Sequence, residues 1–199
     1  MHPEDDASDV TRLLERLRLK WLLRHLPHRL VWATYVLFNG FLTIAILALL
    51  GVVTNSPFVF PSLGPTAYLF FFTPLSNAAS PRNTILGHGI GLVCGFAAFS
   101  LFKDPHIVHA ASQSVDWPRI LAAALSLSAT GALMVLLRIS HPPAGATTRI
   151  VALGILSRPN YLVIIEVAVI LLTEQAFLIN RLAGLPFPVW RPMEQPAPA

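Results

Sequence analysis

An imidazole, several hydroxyls and a guanidinium are crowded into Ser140-His141-Pro142-Pro143-Ala144-Gly145-Ala146-Thr147-Thr148-Arg149, inside an otherwise apolar part of the chain. Neither Pro142 nor Pro143 fits the interior of a continuing helix, since each lacks an N–H and its ring clashes one turn back. A helix that restarts after them would aim its first N–H groups and the positive end of its dipole at whatever lies in front, which is the chemistry of a small-anion site. Gly145 lets a ligand approach the backbone closely. Pro61-Ser62-Leu63-Gly64-Pro65-Thr66 repeats the arrangement, and both stretches carry the pattern P-x-x-G-x-T. The expected substrate-binding set is therefore Ser62, Gly64 and Thr66 with His141, Gly145, Ala146, Thr147, Thr148 and Arg149. The competing reading makes each motif a kink that packs closely through Gly, Ala and Thr.

Two further ionisable groups interrupt apolar runs. His88 stands in Gly87-His88-Gly89-Ile90-Gly91, and Glu166 stands among Val163, Ile164, Ile165, Val167 and Ala168. Ionisable side chains inside a membrane are functional by default, so both are candidates for proton or ion coupling. Arg82 and Asn83 follow the first motif much as Arg149 follows the second, and they join the candidate set. His106 and His109 have a metal-compatible spacing, but no cysteine or third histidine accompanies them, and no metal is expected. Ser140 beside His141 does not make a hydrolase, because sequence neighbours point apart and no orienting acid follows. With no phosphate loop, nucleophile elbow or carboxylate pair, neither an enzyme nor a cofactor is expected.

These residues need elements to hold them. Only 12% of the 199 residues are charged, and 54% are hydrophobic; a soluble domain carries about 25% charged residues. From Leu30 to Pro81 there is no Asp, Glu, Lys or Arg. The net charge of +4 suits a membrane surface rather than nucleic acid, and the single Cys94 excludes an internal disulfide. Residues 1–29 read as a cytoplasmic segment whose basic amphipathic helix, 11–29, lies in the membrane interface. The acidic Met1–Asp9 does not resemble a cleaved leader. Four segments, Leu30–Val53, Thr84–Phe102, Arg119–Leu137 and Tyr161–Ile179, are long enough to cross a bilayer, which takes about 20 residues. The motifs fall in the short, broken stretches between the first and last pairs. Residues 181–199 form a proline-rich tail.

The expected fold is thus all-α and polytopic: two copies of helix, broken short helix, helix, over about 30–102 and 119–180 within a transmembrane domain of 30–180. Four crossings result if the short elements re-enter, and six if they traverse. Loop arginines favour six, with the halves inverted, the N-terminus cytoplasmic and Arg82, Arg138 and Arg149 on that side. Broken short segments at matching places in two halves point to a transporter site.

The motif His141-Pro142-Pro143-Ala144-Gly145-Ala146-Thr147 resembles the signature of the HPP family of small integral membrane proteins. Phe60–Ala67 and Ser80–His88 are similar to other blocks of that family, and the resemblance runs from about Leu30 to Ile179. It implies four transmembrane segments and, since plant and cyanobacterial members are associated with nitrite transport, a transporter or channel for a small, nitrite-like inorganic anion. Some relatives carry an added nucleotide-sensing domain, for which no room is expected here. The alternative function is a membrane-embedded structural or regulatory subunit. The expected partners are the lipid bilayer, the anion and a second copy of the chain in a homo-oligomer, with a bacterial inner membrane as the location.

Overall fold

The structure is a computed structural model, and it describes residues 19–102 and 117–193. Among these residues it is all-helical: α1 (Leu19–His25), α2 (His28–Thr54), α3 (Leu63–Phe72), a 3-10 turn (Asn77–Ala79), α4 (Pro81–Phe102), α5 (Trp117–Leu136), α6 (Ala144–Ala152) and α7 (Pro159–Leu182). Helices α2, α4, α5 and α7 are each long and apolar enough to cross a membrane, and α3 and α6 are the two short elements. The spans begin up to three residues earlier than the sequence predicts at α4. Of the expected basic helix, residues 11–18 lie outside the described residues and 19–29 form α1 and the start of α2; His106 and His109 also lie outside them.

Several polar groups within the spans bond back to the helices that carry them, as a medium without water favours. Asn39 donates to the Tyr35 carbonyl, Thr43 to that of Asn39 and Thr173 to that of Val169. Large apolar side chains on α2 and α5, among them Phe38, Phe41, Leu49, Leu125 and Val135, face outward. This is the distribution expected where lipid rather than water covers the surface.

The helices pack as two trios. In one, α2, α3 and α7 touch one another; in the other, α5, α6 and α4 do; α4 against α7 joins them. Each trio borrows its last helix from the other half of the chain. Exchanging α2 with α5, α3 with α6 and α4 with α7 maps this set of packed pairs onto itself.

Helix directions follow from individual contacts. Arg82, at the start of α4, donates through its guanidinium to the carbonyls of Leu137 and Arg138 at the end of α5, and through its backbone N–H to Trp190. Helix α6 then runs alongside α4 in the same direction. Side chains on Gly87, Gly91 and Gly95 would strike His141, Ala144 O with Thr148, and Thr148 O in turn, and one on Gly154 would strike Phe99. The 139–152 segment thus passes from the end where α5 stops to the end where α4 stops. Helix α3 runs the other way, its Phe70 carbonyl accepting from Asn180 near the end of α7. Asn180 also accepts from the Tyr35 hydroxyl near the start of α2. The two short elements thus lie along the bundle in opposite directions.

Two expectations change. Arg149 lies level with Gly95, well along α4, rather than at the end that holds Arg82 and Arg138. The segment after α7 is not a free tail through residue 190: Phe187 is fully buried against Phe70 and Phe177. An apolar residue shielded from water or filling an interhelical gap outweighs the chain-breaking tendency of the flanking prolines.

Candidate functional site

Helix α4 carries glycine at positions 87, 91 and 95, one turn apart, so its backbone presents a groove rather than a ridge. Close approach of this kind, through small residues, is how helices pack where no water drives them together. The groove receives the His141–Val151 segment, which sets His141 beside His88, fully buried between α3, α4 and α6. The prolines that break the chain before α6 also remove any helical obligation from His141, whose side chain is free to turn inward.

Five predicted residues meet there. Thr147 Oγ1 is 2.7 Å from His88 Nδ1 and 2.6 Å from Ser62 Oγ. Thr66 Oγ1 is 3.0 Å from His88 Nε2 and 3.3 Å from His141 Nε2. The two Nε2 atoms lie 3.2 Å apart, and His141 Nδ1 is 2.7 Å from the Ala78 carbonyl. Thr66 and Thr147 are the matching threonines of the two P-x-x-G-x-T motifs, and they hold the two nitrogens of one imidazole.

The proton positions follow from what each group is able to do. A carbonyl only accepts, so His141 Nδ1 carries a hydrogen and donates it to Ala78, which leaves Nε2 bare in the neutral ring. The single proton between the facing Nε2 atoms then belongs to His88, which donates towards His141 Nε2 and Thr66 Oγ1. Thr66 passes its own hydrogen to the Ser62 carbonyl at 2.9 Å. His88 Nδ1 is bare in turn and accepts from Thr147, whose oxygen accepts from Ser62. The result is a one-way relay from Ser62 through Thr147, His88 and His141 to Ala78.

The remaining predicted residues do other work. Gly64 is exposed, with open space where a side chain would go, while Gly145 faces Leu127 at 3.1 Å and Ala146 is half-buried. Thr148 turns away to Thr130, at 3.0 Å, and back-bonds to Ala144. Arg149 is exposed. Glu166 lies against Gly89, with its Oε2 buried and unpartnered. Arg82 caps the end of α5, and Asn83 donates to the Asn77 carbonyl. The expectation that free N–H groups at the start of α6 form the anion site also needs correction. The N–H groups of Ala144, Gly145 and Ala146 are accepted by the carbonyls of His141, Pro142 and Pro143. Prolines keep their carbonyls, and the tight turn they make folds those carbonyls back onto the helix start. The polar side-chain groups gathered at this place are the imidazoles and hydroxyls.

Sequence reasoning missed Thr84, whose Oγ1 is 3.4 Å from His141 Nδ1, and the Ala78 carbonyl that fixes the tautomer. Thr84 sits one helical turn before His88 and was legible from that spacing. Nothing in the sequence marks Ala78.

Paired short helices meeting over a buried polar cluster, among four membrane-length helices, define an integral membrane protein. Its transmembrane region matches the family model described as "HPP, transmembrane region" over residues 25–188, and the chain belongs to that family. It is also 29% identical over 128 residues to a "Transmembrane protein" of Dictyostelium discoideum, an alignment covering 64% of this chain and 41% of that relative. The chain thus spans about two fifths of that relative's length. No solved structure matches it.

Proposed function

We propose that the protein is a transporter or channel, without enzymatic activity, for a small inorganic anion of the nitrite type. The observation that carries this reading is the meeting of the two motifs at one buried cluster, where Ser62, Thr66, His88, His141 and Thr147 offer O–H and N–H donors between two short helices that begin nearby. Hydroxyl and imidazole donors in a site away from water bind an anion without a permanent charge. The packed pairs, unchanged when the two halves are exchanged, support an inverted repeat, which is the architecture in which such midplane sites occur. Basic residues near the N-terminus favour placing it in the cytoplasm of a bacterial cell, with the chain in the inner membrane. The outward apolar faces of α2 and α5 suit lipid or a second copy. Reconstituted into proteoliposomes, the wild type is expected to carry nitrite, and His141→Gln to lose most of that flux. Absence of both flux and binding for any small anion would sink the proposal.

A second reading has one observation in its favour. The imidazoles and hydroxyls of the cluster satisfy one another, as in a structural network that fixes how the trios dock. A structural or regulatory subunit of that kind would bind no anion, and the same flux assay separates the two.

A further inference from the structure

The relay has a direction, and reversing it requires one proton and one outside acceptor. Resting on the anion-transport reading above, we infer that the Ser62–Thr147–His88 relay takes up one proton with each anion, so that the pair crosses as an electroneutral unit.

In the neutral cluster Ser62 donates to Thr147, and Thr147 donates to His88 Nδ1. A proton that bonds to His88 Nδ1 turns that nitrogen into a donor, and Thr147 Oγ1, 2.7 Å away, becomes its acceptor. The Thr147 hydroxyl hydrogen swings to Ser62 Oγ at 2.6 Å, the other position open to it. The Ser62 hydrogen is then displaced. Ser62 is fully buried and Thr147 is its side chain's partner, so its O–H is left without an acceptor. An unmet buried donor is costly, and an anion oxygen meets it. Pro61, directly before this residue, and Gly64, two residues on, are exposed, which puts Ser62 close to the protein surface. The second imidazole is held throughout: His141 keeps its Nδ1–H on Ala78 and its bare Nε2 facing the His88 Nε2–H, so the added proton has its place at Nδ1.

The charges balance. One N–H bond forms, two hydroxyl rotations follow, and the positive imidazolium is matched by the negative anion one relay away. Release of the anion leaves Ser62 unmet again, and the proton departs from Nδ1 as the hydroxyls turn back. Coupling of this sort is reciprocal: proton and anion each favour the other's binding by the same factor. Few other charges face the pair. From α7 comes Glu166, against Gly89; Arg82 is occupied at the end of α5, and Arg149 on α6 is exposed. Helix α3 and the 77–79 turn bring no charge, and α5 brings Thr130, bonded to Thr148.

The test uses the full chain, purified in detergent in weakly buffered solution with a pH indicator, and sodium nitrite or sodium formate as the probe. About one proton is expected to be taken up per anion bound, with nitrite affinity falling about tenfold per pH unit on the alkaline side. In proteoliposomes the flux follows a pH gradient and ignores an imposed membrane potential. Thr147→Val, close in shape, should lose the proton uptake, and Thr147→Ser should keep it. Ser62→Ala, a smaller change to the packing, should lose it as well, and Glu166→Gln should retain it. Anion binding without proton uptake, or uptake that survives Thr147→Val and Ser62→Ala, or uptake that vanishes in Glu166→Gln, overturns the relay and leaves anion transport standing. No binding and no flux for either anion overturns both.

Discussion

A side chain on Gly87 would lie 2.8 Å from the Cβ of His141, and the absence of one is what brings the second motif into the bundle. The same holds one and two turns on, where a Cβ at Gly91 would meet the Ala144 carbonyl at 2.9 Å and one at Gly95 the Thr148 carbonyl at 2.6 Å. Alanine in a helix is intrinsically better than glycine by about 1 kcal/mol. Overpacking costs roughly 1–3 kcal/mol, and it wins here because a backbone or Cβ atom stands within 3.0 Å at each position, with no rotamer to escape into. Gly87→Ala, Gly91→Ala and Gly95→Ala are therefore expected to lower the melting temperature in detergent, Gly95→Ala most. Gly64→Ala, with nothing near, should leave it unchanged or slightly higher. Equal tolerance at all four positions would mean that α6 does not seat in this groove.

Asn180 ties three helices together. It accepts from Tyr35 on α2 at 2.9 Å and donates to the Phe70 carbonyl on α3 at 3.1 Å, as well as to Ala176 on its own helix. Removing it strands a half-buried hydroxyl and a buried carbonyl, the latter worth about 1–3 kcal/mol and the former less. Asn180→Leu should destabilise by roughly 2–4 kcal/mol, and Tyr35→Phe, which strands only the Asn180 oxygen, by about 1 kcal/mol. Thermal unfolding in detergent reads both. Tyr35→Phe costing as much as Asn180→Leu would show that the α2 contact, not the bridge to α3, carries the energy.

How much of this was readable before folding depends on the kind of signal. The uncharged run from Leu30 to Pro81 and the repeated P-x-x-G-x-T stated the membrane class and the two-part architecture, because hydrophobic length and paired chain breaks are local properties. The convergence of Ser62, Thr66, His88, His141 and Thr147 was partly readable, each being a polar residue that an apolar setting has to justify. Charge misled where it was assumed to point inward. Arg149 is exposed, and Arg82 serves the end of a helix. The backbone at Ala144–Ala146 looked free because prolines announce a break without announcing where their carbonyls turn. Phe187 looked like part of a tail because its burial depends on Phe70 and Phe177, which no local pattern connects to it.

Arg138 closes α5 in the left-handed conformation usually left to glycine, at φ 53°, and the Arg82 guanidinium sits on the carbonyls exposed there, at 3.1 and 3.2 Å. A cation at a helix C-terminus contributes about 0.3–1 kcal/mol when partly exposed. Arg82→Gln should therefore lose about 1 kcal/mol of stability or less and keep most of its nitrite flux in proteoliposomes. A large loss of flux with stability intact would return Arg82 to the substrate path.

The traversal of the bundle by 139–152 makes a topological prediction that separates six crossings from four. Arg138 and Asn160 are both exposed, and they stand just before and just after the segment that holds α6. If that segment only dipped into the membrane and returned, the two residues would face the same compartment. The course of α6 along α4, from His141 beside Gly87 to Gly154 beside Phe99, sends them to opposite ones. In a background with the buried Cys94 replaced by alanine, single cysteines at positions 138 and 160 should be labelled by an impermeant maleimide from opposite sides of an oriented vesicle. The cysteine at position 138 should share its side with one at position 191, since Arg82 binds both Arg138 and Trp190. Labelling of positions 138 and 160 from one side would remove the sixth crossing, and with it the inverted relation of the two halves on which the paired site depends.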